Sequence, residues 1–187
     1  FSAVFSNFVS IILAFLVVLG IFIIPRVWMW DMAIILGISG VATILGMNLT
    51  PFTVIIILAI LSIYDIVAVY LTKHMVWMAK EISKRGVMFG FIIPAKISSF
   101  NQKIEQVQFG KGDFMLLGTG DLALPVVLVV SSLSYGLRAG IIVGASALFG
   151  LFLTHILFIQ KERPMPALPP IALCSILGFL IMFFAIS

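Results

Sequence analysis

The sequence predicts an all-α polytopic transmembrane bundle, and three observations carry that prediction. The first is composition: 63% of the 187 residues are apolar, 10% are charged, and the mean hydropathy is +1.29. A soluble domain runs near half apolar and a quarter charged, so a water-soluble fold, a disordered tail and a nucleic-acid module are all excluded. The second is the recurrence of apolar stretches close to the ~20 residues that a bilayer-crossing helix needs. The third is the placement of the charges, which fall between those stretches and mostly on one side. Nowhere does the alternation of a transmembrane β-barrel appear, so helices must satisfy the backbone in lipid.

Taken in order, the expected spans are 1–25, 31–48, 51–72, 114–136, 139–160 and 167–187. They group as N-terminal transmembrane helices over 1–72, a cytoplasmic or interfacial loop over 73–112, and C-terminal transmembrane helices over 113–187. The first residue is Phe, apolar sequence begins at once, and no secretory signal pattern is read. If the spans alternate, Arg26, Lys73, Lys80, Lys84, Arg85, Lys96, Lys103, Lys111, Lys161 and Arg163 share one side, and only Arg138 takes the other. Basic residues stay in the cytoplasm, so the long loop is expected there and the C-terminus on the outer side of the cell membrane. Trp28, Trp30 and Trp77 fall at the same interface, as anchors would.

Within the loop, residues 73–85 mix basic and large apolar residues, which fits an interfacial amphipathic helix or a solvated connector. Residues 86–95 are too short to span and read as a re-entrant piece or a strand ending at Pro94. The lone Cys174 excludes an internal disulfide and a cysteine metal site, and no cofactor or metal is expected.

Seven acidic residues are present. Asp31, Glu81, Glu105, Asp113 and Glu162 read as span-end or loop residues that need no further account. Asp65 and Asp121 do not, because each sits inside an apolar stretch, where a carboxylate costs several kcal/mol unless it meets a cavity or a partner. Asp65 precedes Lys73 by eight residues and Asp121 follows Asp113 by eight, which at helical rise puts both about 12 Å from the cytoplasmic boundary. On consecutive antiparallel helices they can face each other. Two adjacent carboxyls share a proton, so one can take a proton from water while the other donates to a carbonyl oxygen. Gly118 and Gly120 flank the second aspartate with backbone that another chain can approach closely. By composition, such a Gly-x-Gly-Asp arises by chance roughly 0.02 times per chain.

Ser62-Ile63-Tyr64-Asp65-Ile66-Val67-Ala68-Val69, Leu117-Gly118-Thr119-Gly120-Asp121 and Pro166-Ala167-Leu168 together resemble the Tyr-Asp, Gly-x-Gly-Asp and Pro-Ala-Leu motifs of presenilin and signal peptide peptidase, the GxGD intramembrane aspartyl proteases. The first motif and the inferred orientation are closer to presenilin. The resemblance implies a catalytic pair, Asp65 and Asp121, cleaving transmembrane-helix substrates in the bilayer with water as nucleophile. It implies that Tyr64, Gly118, Thr119, Gly120, Pro166, Ala167 and Leu168 shape the site or hold substrate. Thr119 departs from the apolar residue that many relatives carry, which bears on substrate preference. The family fold has nine spans against about six here, so early spans are missing or the count differs. Presenilin works with accessory membrane subunits while relatives act alone, and this choice, like homo-oligomerisation, is left open by the residues.

The prolines at 164, 166, 169 and 170 are expected to keep the start of the last span extended, with free carbonyls facing a substrate strand; a second candidate for extended backbone is 104–112. Competing readings are weaker. Gly37-Ile38-Ser39-Gly40 with His155 resembles a rhomboid serine dyad but lacks the rhomboid pattern around the histidine. No HExxH occurs. Prepilin peptidases share the GxGD aspartate and not Pro-Ala-Leu. The main alternative outside enzymes is a proton- or sodium-coupled transporter using the aspartate pair, against which stands the lack of an internal repeat.

Overall fold

The computed structural model describes residues 15–17, 19–20, 23, 26–72, 90–94, 114–161 and 166–186. Its elements are α1 (Val27–Asn48), α2 (Pro51–Val67) continued by a π-helical turn (Ala68–Thr72), β1 (Gly90–Pro94), β2 (Phe114–Gly118), α3 (Thr119–Ser132) ending in a 3-10 turn (Leu133–Tyr135), α4 (Leu137–Lys161) and α5 (Leu168–Ile186). Among the described residues, four helices are long and apolar enough to cross a membrane, and Thr119–Tyr135 is a shorter apolar helix. The helical membrane architecture read from composition is therefore the one found.

The boundaries follow local chemistry. Asn48 ends α1 by turning its side-chain amide onto the Ile44 carbonyl, 2.7 Å away. Thr50 caps α2, accepting from the Thr53 N–H at 3.4 Å, and Pro51 fills the first helical position, where its missing donor costs nothing. Gly136 takes φ 107° between the 3-10 turn and α4, a conformation that favours glycine.

Two compact units divide the chain. One comprises Phe1–Gly37 with Gly90–Leu116, the other Ile38–Phe89 with Leu117–Ser187. In the second unit Ala42, Val54, Leu58, Val127, Leu128, Ala139, Val143, Leu168, Ala172, Phe179 and Met182 form one buried cluster. Large apolar side chains such as Ile56, Leu148, Phe152 and Phe184 point outward, as lipid-facing surfaces require. Apolar surface on all sides gives these helices little reason to associate in lipid, so close packing must hold them together. Small residues provide it. A Cβ on Gly150 of α4 would lie 2.9 Å from the Ile171 Cα of α5, and one on Gly178 would strike Ser146. At the far end Phe52, Tyr135, Phe179 and Phe183 stack edge to face, with centroids 5.6–5.9 Å apart.

β1 and β2 form a two-stranded sheet; β1 and residues 114–116 of β2 fall in the first unit. The strand ending at Pro94 is one of the two alternatives read for 86–95. The expected fourth span is corrected: residues 114–118 are strand, and helix begins only at Thr119. A short apolar run such as Phe-Met-Leu-Leu carries no periodicity that separates strand from helix, and the glycines after it disfavour helix upstream. Three other spans differ slightly at their ends, α1 most, starting at Val27 rather than 31. Most of the expected first span, residues 73–89 and residues 95–113 lie outside the described residues, and so do the interfacial helix over 73–85, the extended backbone over 104–112 and Pro164.

Gly150→Leu is expected to destabilise the protein by about 1–3 kcal/mol, because the added side chain meets α5 backbone rather than a yielding side chain. Unfolding in mixed micelles, compared with Gly144→Leu, measures this; Gly144 meets only side-chain carbons of Val129, at 3.7 Å and beyond.

Candidate active site

Asp65 and Asp121 both belong to the second unit. Asp65 lies near the C-terminal end of α2 on its buried face, 8% exposed, with Val54 and Leu58. The helix changes pitch just beyond it: the Ala68 N–H is shared between the Asp65 and Tyr64 carbonyls, and a wider π-helical turn follows. Asp121 is the third residue of α3 and is partly buried. The two carboxyl groups lie close enough for their charges to interact.

The equal depth expected of the two acids does not survive for the reason that suggested it. It counted helical rise from Asp113 to Asp121, whereas residues 114–118 are extended. What puts Asp121 in place is the start of α3. Gly118 is the N-cap, with φ −61° and ψ 138°, and Asp121 stands at the third helical position, its carboxyl turned back toward the Gly118 N–H. That is the reach of a capping-box acid, which satisfies a backbone donor the helix leaves over. Pro125 lies inside α3 four residues later. It has no N–H to give the Asp121 carbonyl, so that oxygen is also released from the helical ladder.

The glycines of the motif differ. A Cβ on Gly118 would stand 2.9 Å from the Asp121 Oδ2, while one on Gly120 would meet nothing within 4 Å. The first glycine makes room for the acid itself. The second leaves open space beside it.

Pro166 and Ala167 are buried, and Leu168 opens α5. The Leu168 N–H donates to the Asp65 Oδ2 at 3.3 Å. A helix start normally leaves four donors over, but Pro169 and Pro170 remove two of them here. One of the two donors left, the Leu168 N–H, goes to the carboxyl, where the positive end of the helix dipole favours it. The expectation that this stretch stays extended is corrected at its second half: Pro169 and Pro170 lie in the first turn of α5, which proline's fixed φ permits.

Thus Asp65, Gly118, Thr119, Gly120, Asp121, Pro166, Ala167 and Leu168 all lie where α2, α3 and α5 bring one end of the unit together. Tyr64 is 67% exposed and faces away from the buried side that carries Asp65. A cavity of about 760 Å³ opens at the other end, lined by Asn48, Thr50, Ser134 and Tyr135 among others, and no predicted site residue lines it. One buried acid was missed. Asp31, read as a span-end residue, is 4% exposed and accepts from the Ile92 N–H at 2.9 Å. The earlier start of α1 puts it a turn inside the helix; the signal available was an acid directly after an aromatic-rich helix start.

Two carboxyls thus lie in one unit of a helical membrane protein, each turned to the start of a helix. A family profile described as signal-peptide peptidase, presenilin aspartyl protease matches residues 1–187, and the chain belongs to that family. A solved structure of a presenilin family intramembrane aspartate protease, in space group C222, superposes with TM-score 0.58 at 27% identity, covering 88% of this chain. The chain spans 56% of that protein's length. No match was found among curated protein sequences. Neither likeness lends support to ion-coupled transport.

Gly118→Ala is expected to displace the Asp121 carboxyl and reduce any Asp121-dependent turnover at least about tenfold, while Gly120→Ala leaves the carboxyl in place. Thermal unfolding run alongside the turnover assay separates the two: both variants should fold, and only the first should lose its aspartate geometry.

Proposed function

We propose that the protein is an intramembrane aspartyl endopeptidase that hydrolyses peptide bonds within transmembrane helices, with Asp65 and Asp121 as its catalytic pair. The observation that carries this reading is the placement of both acids in one compact unit, with the Leu168 N–H donating to Asp65. Membership of the family supports it. One carboxylate takes a proton from water as the oxygen attacks the peptide carbon, and its neutral partner donates to the carbonyl oxygen. Collapse of the resulting gem-diol returns the proton to the amine as the C–N bond breaks. No covalent enzyme intermediate and no cofactor is needed.

A substrate helix hides its carbonyls in its own hydrogen bonds, so it must unwind first. An unwound stretch adds as an extended segment to protein strand, the mode of β-augmentation. The strand preceding Gly118 supports this, as does the open space at Gly120, which lets a second backbone come near. Pro166 and Ala167 shape the wall next to Asp65, and Thr119 and Tyr64 bear on which substrates are taken. The basic residues support a cytoplasmic loop over 73–112, an outer C-terminus and water entry from the cytoplasmic side. The partners are membrane proteins with transmembrane helices and the lipid bilayer itself.

Asp65→Asn and Asp121→Asn are each expected to abolish cleavage of a single-span peptide in liposomes, falling by at least about a thousandfold, with the fold retained because asparagine still accepts a backbone N–H. Mass spectrometry of the products reads this directly. Cleavage persisting in either variant would contradict the assignment.

A further inference from the structure

α4 carries a buried nitrogen that the proteolytic chemistry does not use. The Nδ1 of His155 is closed off from solvent and has no hydrogen-bond partner among the described residues. An imidazole nitrogen left so inside an apolar bundle is costly, whether it bears the proton or the lone pair, and a leucine of similar volume would avoid that cost. The neighbouring polar residue solves the same problem within its own helix: the Thr154 hydroxyl donates to the Gly150 carbonyl at 2.8 Å. His155 does not take that outlet.

Helix packing within the second unit gives its place. A Cβ on Gly144 would meet Val129 of α3 at 3.7 Å, and one on Gly140 would meet Leu133 and the Val129 carbonyl, so this side of α4 faces α3. His155 follows Gly144 by eleven residues, three turns to within about 20°, and so lies on the same side. Eleven residues back from Val129 along α3 is Gly118. The helices are antiparallel and rise equally per residue, so His155 stands about level with Gly118. Its side chain tilts toward the N-terminus of α4, which carries the imidazole over the first turn of α3. The other packing face agrees: Gly150 lies against Ile171, which puts His155 about level with Pro166, beside the start of α5.

The first turn of α3 has the complementary need. A helix start leaves the N–H groups of its N-cap and first three residues without acceptors in the helix. The Asp121 carboxyl turns back to the Gly118 N–H. Gly120 is exposed and lies half a turn from the α4 side, nine residues before Val129. Thr119 is half-buried, and its N–H must be met from outside the helix. A buried acceptor and a helix-start donor at one level on facing helices are within the span of one water, which bonds two to four polar groups when enclosed.

We propose that His155 is a positioning residue that caps the first turn of α3 through one bound water, which accepts from the Thr119 N–H and donates to the His155 Nδ1. The ring proton then sits on Nε2. His155 touches neither substrate nor the reacting atoms. It steadies the turn whose third residue is Asp121, so a looser turn becomes a looser carboxyl. The effect on turnover rests on the proteolytic reading; the cap itself does not.

The test uses the full chain in liposomes with a single-span peptide, comparing wild type, His155→Leu, His155→Asn and His155→Gln, with Asp121→Asn as the inactive control. Asparagine keeps a polar atom near the place of Nδ1, and glutamine near that of Nε2. Hydrogen exchange at the Thr119 amide should speed up at least about tenfold in His155→Leu and His155→Gln and return toward wild type in His155→Asn. In the first two, kcat should fall about tenfold with KM within about twofold, and His155→Asn should recover most of it. Nitrogen NMR of the ring, assigned by its loss in His155→Asn and read at a pH where the ring is neutral, should find the proton on Nε2. If His155→Leu does not fold, the contrast between asparagine and glutamine carries the test. The proposal is overturned by a proton on Nδ1, by Thr119 exchange unchanged in His155→Gln, or by glutamine restoring kcat as well as asparagine, which a role in packing alone would give. Cleavage by Asp121→Asn would instead defeat the proteolytic reading, and the exchange and NMR results would still decide the cap.

Discussion

A carboxylate buried in lipid must be held by something, and the fold is organised around how Asp65 is held. The donor is the first backbone amide of α5. It is available because a helix start leaves its first donors without intrahelical partners, and Pro169 and Pro170 leave few others there. It is aimed because α4 and α5 pack backbone to backbone through Gly150. The buried cluster that joins α2, α3 and α5 includes Leu168 itself. The residue that donates to the acid also anchors its helix in the core. Loosening that packing would loosen the site.

Asp121 is held by a different device. Its carboxyl folds back on the start of its own helix, and that start exists because a strand ends at a glycine. The Gly-x-Gly-Asp motif thereby has two separable physical roles. One glycine keeps a Cβ out of the carboxyl's way, and the other leaves clearance beside it. The strand–glycine–helix junction also lets a short apolar segment deliver an acid to a site without eight residues of helix before it.

Much of this was legible in the sequence. Composition alone gave the helical membrane class, because few folds tolerate so few charges. The aspartates stood out because each interrupts an apolar run, and Pro-Ala-Leu stood out because prolines crowd one helix start. The strand at 114–118 was not legible: Phe114 to Leu117 is apolar on both faces, and neither period 2 nor period 3.6 shows in so short a run. The extended reading of Pro169 and Pro170 failed because proline fits a helix's first turn, where the N–H it lacks would have no partner within the helix. Asp31 was passed over because helix ends are the least certain part of such a reading; a shift of four residues in the start of α1 turned a boundary acid into a buried one.

In the proposed reaction Asp65 and Asp121 act on one peptide bond together while the α5 tip holds Asp65. An experimental structure of the chain in lipid, bound to a peptide isostere with a hydroxyl at the scissile carbon, tests it most directly. That hydroxyl is expected between the two carboxyls, with the Leu168 N–H still on Asp65. A hydroxyl bound by one aspartate alone, with the other turned away, would contradict it.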